Sequence, residues 1–161
     1  MDASLSGTPE AERDRHGWNS FENYIEIHER RLAEHPFVDK SRPHTITFSV
    51  SEPDGIVVVT GRVYCHHGVV VDVEKYLDLE YRQGGRRFVR AYSYAYNAYF
   101  KGKHNILRYD NNHDFEQYHC HRLDLASGRQ IGDPIPLTRQ QFPHLSEVLD
   151  ELERMLQSSE G

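Results

Sequence analysis

Residues 88–110 read FVRAYSYAYNAYFKGKHNILRYD, and this stretch decides the fold. Side chains along residues 88–100 alternate in type, which is the period-2 pattern of a β-strand. Because alternate residues of a strand share a face, one side of this strand is expected to carry Phe88, Arg90, Tyr92, Tyr94 and Tyr96. Lys101-Gly102-Lys103 then supplies a polar turn into a second strand over residues 104–110. The stretch therefore predicts an antiparallel β-hairpin.

Similar signals continue on both sides of this hairpin. Upstream, Pro53-Asp54-Gly55 separates an alternating run over residues 45–50 from a strand over 56–64, and residues 65–68 turn into a further strand over 69–76. Downstream, a strand over residues 117–125 precedes a linker that contains several prolines. The pattern predicts an antiparallel meander of about six strands.

Amphipathic helices are expected at both ends of this meander. An apolar stripe at helical spacing begins near Asn19 or Ser20, either of which is a suitable N-cap, and ends at Pro36; it comprises Trp18, Phe21, Ile25, His28 and Leu32. A second stripe comprises Leu145, Val148, Leu149, Leu152, Met155 and Leu156. The expected fold is an α+β domain whose N-terminal and C-terminal helices pack on one face of the sheet and leave the other face partly open.

Composition narrows the class of protein. Residues 1–16 are polar and charged and are expected to be a disordered lead-in, while residues 17–158 suit a single domain. A formal net charge of -6 disfavours a protein that coats nucleic acid nonspecifically. Apolar runs are too short for a membrane span, and Cys65 and Cys120 form no C-x-x-C pair, so a cytoplasmic protein without membrane contact is expected. An exposed edge strand would also allow a homodimer.

Chemically active side chains concentrate in the last two predicted strands. His119 and His121 are two residues apart on one strand, so both imidazoles point to the same face and can converge on one target. Arg108 and Asp110 share a face of the preceding strand. Two imidazoles that titrate near neutrality and one arginine are sufficient to cleave a phosphodiester without metal, and Asp110 could orient a histidine or the arginine.

Other interpretations remain open at this point. The H-x-H pair could bind a metal ion as part of a metal-dependent hydrolase, or it could consist of partly buried sheet residues in a non-catalytic interaction module. The tyrosines of the first strand, including Tyr94, could stack on unpaired bases beside Arg90 and Arg122, although packing under the helices is favoured. Asn111-Asn112-His113 suits a turn. No cofactor is expected.

The order of several motifs resembles the TumE family of toxins from prokaryotic toxin–antitoxin modules. These motifs are Gly61-Arg62-Val63-Tyr64-Cys65, Arg90-Ala91-Tyr92-Ser93-Tyr94, Ile106-Leu107-Arg108-Tyr109-Asp110-Asn111 and His119-Cys120-His121, closed by a helix. The likeness spans about Ser41 to Gln157, behind an additional N-terminal helix and charged lead-in.

The resemblance implies a small α+β toxin that inhibits growth and is neutralised by an antitoxin, often a DNA-binding protein. Carried over by position, it points to Arg108, Asp110, Asn111, His119 and His121. The hypothesis from sequence is a TumE-like toxin that acts on RNA. Its catalytic residues would be His119, His121, Arg108 and Asp110, and its substrate-binding residues Asn111, Tyr94, Arg90 and Arg122.

Overall fold

The computed structural model describes residues 14–111 and 117–160, without the side chains of Ser159 and Glu160. Within these residues eight strands form one antiparallel sheet: β1 (Asn19–Ser20), β2 (Thr47–Ser51), β3 (Ile56–Tyr64), β4 (Val69–Arg82), β5 (Arg86–Phe100), β6 (Asn105–Asp110), β7 (Tyr118–Arg122) and β8 (Ile135–Leu137). Strands β2 to β8 are hydrogen-bonded in chain order, and β1 pairs with β5. The predicted meander is confirmed.

The sheet has two more strands than the six expected from sequence. Both additional strands are short, β1 with two residues and β8 with three. β8 contains Pro136 and lies at one end of the sheet, where a proline removes no ladder hydrogen bond from a further strand. Neither segment is long enough to show alternation, so the sequence pattern assigns them to a helix start and to a linker.

Two helices flank the sheet, as predicted. α1 spans Phe21–Glu34, and its N-cap Ser20 accepts a hydrogen bond from the Asn23 backbone N–H at 3.1 Å. α2 spans Leu145–Glu160. Both helices cover the same side of the sheet, which we call the helix face, and the side that neither helix covers is the open face. Among the described residues no helix is long and apolar enough to cross a membrane.

A β-bulge in β5 changes which tyrosines share a face. Ser93 pairs with Tyr76 while Ala91 pairs with Leu77, so Tyr92 is an extra residue that inverts the alternation. Tyr94 is 1% exposed on the helix face, whereas Tyr92 lies beside Tyr76 on the open face. The expectation that Tyr92 and Tyr94 share a face was therefore wrong, and packing under the helices is the role of Tyr94 and Tyr96.

The centre of the core is an aromatic cluster around Phe142, which precedes α2. Its ring centroid lies 4.8 Å from that of Tyr94, 5.1 Å from that of Tyr118 and 5.9 Å from that of Tyr109. Phe142 itself is fully buried. These contacts join β5, β6 and β7 to the start of α2, so they hold the strands of the candidate site together from behind.

The chain is already packed before Gly17. His16 is buried, and its Nε2 lies 2.8 Å from the Phe142 carbonyl oxygen, while Arg139 donates a hydrogen bond to Asp14 at 2.8 Å. Asp14 and His16 belong to the stretch expected to be a disordered lead-in, and residues 1–13 lie outside the described part of the chain. The assignment of residues 17–158 to one domain stays a prediction.

Replacing Phe142 with alanine should remove the ring that connects the strands to α2. We expect a loss of about 3–5 kcal/mol in the free energy of unfolding, because a fully buried aromatic leaves both lost contacts and a cavity. Urea unfolding followed by tyrosine fluorescence measures it. Ile131→Ala is the control, since Ile131 is 59% exposed and its truncation should cost less than about 0.5 kcal/mol. Equal effects of both variants would contradict this account of the core.

Three histidines on the helix face make stability depend on acid pH. Burial lowers the pKa of His16 to about 4 and that of His144 to about 3, and it holds the pKa of His28 well below the ordinary value of 6.5. Below pH 6.5 these histidines therefore bind protons in the unfolded chain but stay neutral in the folded chain. The free energy of unfolding should fall as the pH drops from 6.5 towards 4. This loss should reverse on return to neutral pH.

The variant His144→Gln should have a smaller loss of stability between pH 7.5 and pH 5 than the wild type, by roughly 1–2 kcal/mol. Urea unfolding at the two pH values measures this difference, and the carboxylates common to both proteins cancel. His66→Gln, at an exposed position, should retain the wild-type dependence. An unchanged slope in His144→Gln would mean that this imidazole is charged in the folded state.

Candidate active site

The pairing of β6 with β7 assembles the candidate site. Arg108 is opposite His121, and Asp110 is opposite His119. Directly opposed residues of an antiparallel pair project to the same side, so these four side chains form a compact square on the open face. We call them the Arg-His cluster (Arg108, Asp110, His119 and His121). Tyr109 and Cys120, one position away, are buried on the helix face.

A buried carboxylate and a partly exposed guanidinium form one edge of the cluster. Arg108 donates through Nε to Asp110 Oδ2 in a short contact. The Asp110 side chain is only 4% exposed, while that of Arg108 is 37% exposed. The carboxylate therefore holds the guanidinium at its Nε atom. The terminal amino groups of Arg108 make no hydrogen bond with the described protein residues. Such a fork suits a phosphate.

Each imidazole is held through its Nδ1 atom. His119 Nδ1 lies 3.0 Å from the backbone oxygen of Asp110 and 3.3 Å from its carboxylate Oδ1, which is buried and makes no hydrogen bond within the described residues. His121 Nδ1 lies 3.3 Å from Gln130 Oε1. A proton on Nδ1 satisfies both contacts, which leaves Nε2 of each ring as the acceptor in the neutral form.

The two rings are close enough to act on one small group. Their centroids are 5.3 Å apart and their planes are inclined by 42°. The His119 side chain is 24% exposed, so it is reachable from solvent without being loosely held. With Arg108 beside them, the rings can provide a proton acceptor, a proton donor and a positive charge at one place.

The same cluster contains a possible set of metal ligands. One ligand atom each from Asp110, His119 and His121 lie within 4.8 Å of one another, and the unpartnered Asp110 Oδ1 is among the oxygen atoms available. Two imidazoles and one carboxylate are a donor set that suits zinc and other divalent transition metals. Arg108 competes for this carboxylate, because its guanidinium is already paired with Oδ2.

Three residues expected to contact substrate are elsewhere. Tyr94 lies on the helix face, where it packs against Phe142. Arg122 is on the same side and forms a short ion pair with Glu151 of α2. The Arg90 guanidinium lies 3.5 Å from an Asp14 carboxylate oxygen, at a position of β5 five residues before the neighbour of Asp110. None of the three joins the Arg-His cluster.

Asn111 supports the site instead of facing it. Its side-chain oxygen accepts a hydrogen bond from the Tyr94 backbone N–H at 2.8 Å, and its amide nitrogen donates to the Tyr92 carbonyl at 2.9 Å. The residue is fully buried. As the residue that follows Asp110, it thus stabilises the bulge of β5 beside the cluster. Asn112 and His113, expected to serve the turn, lie outside the described residues.

Sequence reasoning missed Gln130, which holds His121. A tight turn brings Gln130 back to the end of β7: the Asp124 carboxylate accepts hydrogen bonds from Ser127, and Gln130 forms a β-bridge with Leu123. The segment Asp124-Leu125-Ala126-Ser127-Gly128 carries turn chemistry that could have identified this reversal. The sequence pattern instead extends the strand to Leu125 and assigns Ser127-Gly128 to a linker, whereas the strand ends at Arg122.

Comparison with known proteins identifies the family. No curated protein and no solved structure matches the chain. A family model described as Toxin TumE matches residues 28–157, which is well over half of the 161 residues. The match begins at His28 inside α1, ahead of the start at Ser41 expected from the motifs, and it spans the whole Arg-His cluster. A family of such toxins implies an antitoxin as partner. The chain belongs to the TumE family of toxins.

Proposed function

We propose that this toxin acts on RNA by metal-independent cleavage of a phosphodiester bond at the Arg-His cluster. The observation that carries the proposal is the convergence of one guanidinium and two imidazoles beside a buried carboxylate on the open face. Metal-independent ribonucleolytic chemistry needs a base, an acid and a cation at one phosphate, and these side chains supply all three.

His119 takes the role of general base. Its Nε2 accepts the proton of the ribose 2'-hydroxyl while the 2'-oxygen attacks phosphorus. The imidazolium that results is stabilised through Nδ1 by the carbonyl and carboxylate oxygens of Asp110, at 3.0 and 3.3 Å. Asp110 is therefore a positioning residue for both His119 and Arg108.

His121 and Arg108 complete the reaction. Protonated His121 gives its Nε2 proton to the 5'-oxygen as the phosphorus–oxygen bond to that oxygen breaks. Arg108 contacts the non-bridging oxygens, whose negative charge grows in the transition state. The products are a 2',3'-cyclic phosphate and a 5'-hydroxyl end. His119 then releases its extra proton to solvent and His121 takes one up from solvent, which restores both imidazoles.

The family implies one partner, and two further proposals concern partners. The family implies an antitoxin, and we propose that the antitoxin is a DNA-binding protein encoded beside the toxin. We also propose that a homodimer forms through β2 (Thr47–Ser51), which is at the end of the sheet opposite to β8 and contains no proline. The single proline of β8, Pro136, favours β2 over β8 as the pairing edge.

Substituting either histidine should abolish the activity. We expect His119→Ala and His121→Ala to relieve growth arrest on expression and to lower the rate of RNA cleavage in vitro by about 10²- to 10⁴-fold, since each removes one proton transfer. End-group analysis should find 2',3'-cyclic phosphate, and a 2'-deoxy substitution at the cleaved position should block the reaction. His66→Ala, at an exposed turn position, is the matched control and should stay toxic. Persistent toxicity of both cluster variants would contradict the assignment.

A metal-dependent hydrolase is the second candidate, supported by the spacing of Asp110, His119 and His121. The two mechanisms differ in their response to chelation and in their products. We expect full RNA cleavage in excess EDTA, with Arg108→Lys strongly impaired because lysine lacks the bidentate fork. Loss of activity in EDTA, its return with zinc or manganese, and a 5'-phosphate product would establish the metal-dependent reaction in place of the one proposed. An absence of cleavage under both conditions, with toxicity retained, would favour a non-catalytic interaction module.

A further inference from the structure

A second polar site lies on the helix face of the sheet, on the opposite side from the Arg-His cluster. It is a cavity of about 160 Å³ between α1, the start of α2 and strands β4 and β5. We call it the helix-side cavity. Its polar lining includes Lys75, His28, Tyr24, Tyr96, Arg31 and His144. None of these residues takes part in the proposed cleavage reaction.

Lys75 is the most unusual residue of this cavity. Val73 and Leu77 lie two positions before and after it in β4, so all three side chains are on the same face of the strand and point into the core. Lys75 is only 4% exposed, and within the described residues its ammonium has no carboxylate partner. The group lies over the rings of Tyr24 and Tyr96, with centroids at 5.2 and 5.8 Å.

His28 is an unpartnered polar group in the same cavity. It is 9% exposed, and both of its ring nitrogens are buried without a hydrogen-bond partner in the described chain. The nearby carboxylate oxygen of Glu29 is 4.0 Å from Nδ1, too far for a hydrogen bond. Buried polar groups without partners are rare because each costs free energy. The unpartnered His28 ring beside the ammonium of Lys75 therefore indicates a missing ligand.

The charges around the cavity favour one kind of ligand. Arg31 joins Lys75 in the lining, and no aspartate or glutamate is among the described lining residues. Arg15 also lines the cavity, but its guanidinium is paired with the Glu147 carboxylate. Burial lowers the pKa of His16, His28 and His144, so these imidazoles are neutral at pH 7 and offer hydrogen bonds. The remaining walls are apolar and aromatic, including Leu32 and Leu145. Burial also lowers the pKa of Lys75 to about 7, so an anion that entered would restore its charge at neutral pH.

We propose that the helix-side cavity binds a small organic anion, whose carboxylate or phosphate group contacts the Lys75 ammonium and the His28 ring while its apolar part packs between Tyr24 and Tyr96. This site is independent of the proposed cleavage of RNA. The ligand would bridge α1 to the sheet and stabilise the folded chain by mass action.

The test uses the full chain with benzoate, phenyl phosphate and the neutral benzyl alcohol as probes. Calorimetric titration and thermal unfolding are measured at equal ionic strength. We expect saturable binding and a higher Tm with at least one anion but not with benzyl alcohol, and the anion that binds more tightly identifies the acidic group. If neither anion binds more tightly than benzyl alcohol, the proposal is wrong.

Substitution of Lys75 separates binding from folding. Lys75→Met retains an unbranched side chain that is one atom shorter and removes a buried charge that has no carboxylate partner. We therefore expect a higher Tm in the absence of ligand together with at least tenfold weaker anion binding. His28→Leu is the second variant and should also weaken binding. Lys103→Met, in an exposed turn, should bind as the wild type does. Undiminished anion binding in Lys75→Met would overturn the assignment.

Discussion

The register between β6 and β7 is the constraint on which the candidate chemistry depends. Tyr109 and Cys120 are paired and both buried on the helix face, so their neighbours must face the other way. A slip of one residue in either strand would expose one of these buried side chains and turn part of the cluster into the core. The hydrophobic contacts with α2 and Phe142 thus fix the geometry of groups that they never touch.

Much of this arrangement could be predicted from sequence because it follows from period and punctuation. Alternation gave the hairpins, the helical stripe gave α1 together with its cap Ser20, and the H-x-H spacing correctly placed His119 and His121 on one face. The pairing of Asp110 with His119 was not predictable. The register of a hairpin depends on the conformation of its connecting loop, and alternation along the strands does not reveal that conformation.

The failures have a common physical cause, which is that local pattern does not reveal irregular pairing. One extra residue at Tyr92 inverted the faces of β5, and the contact of Arg122 with Glu151 depends on a helix far along the chain. Lys75 is a different case. Its position in the alternating series with Val73 and Leu77 is visible in the sequence, so a buried lysine could be predicted from the sequence.

Asn111 follows the Arg-His cluster directly in the chain, but its side chain has a structural role and bonds the backbone of β5. Its side-chain amide bonds the β5 backbone as a neighbouring strand would: the oxygen accepts from Tyr94 and the nitrogen donates to Tyr92, on either side of the bulge. Aspartate lacks the donor and leucine lacks both, so few amino acids could replace it. In Arg108-Tyr109-Asp110-Asn111 the charged residues belong to the Arg-His cluster, whereas the tyrosine contacts α2 and the asparagine holds β5. An invariant asparagine among relatives would accordingly testify to folding and not to catalysis.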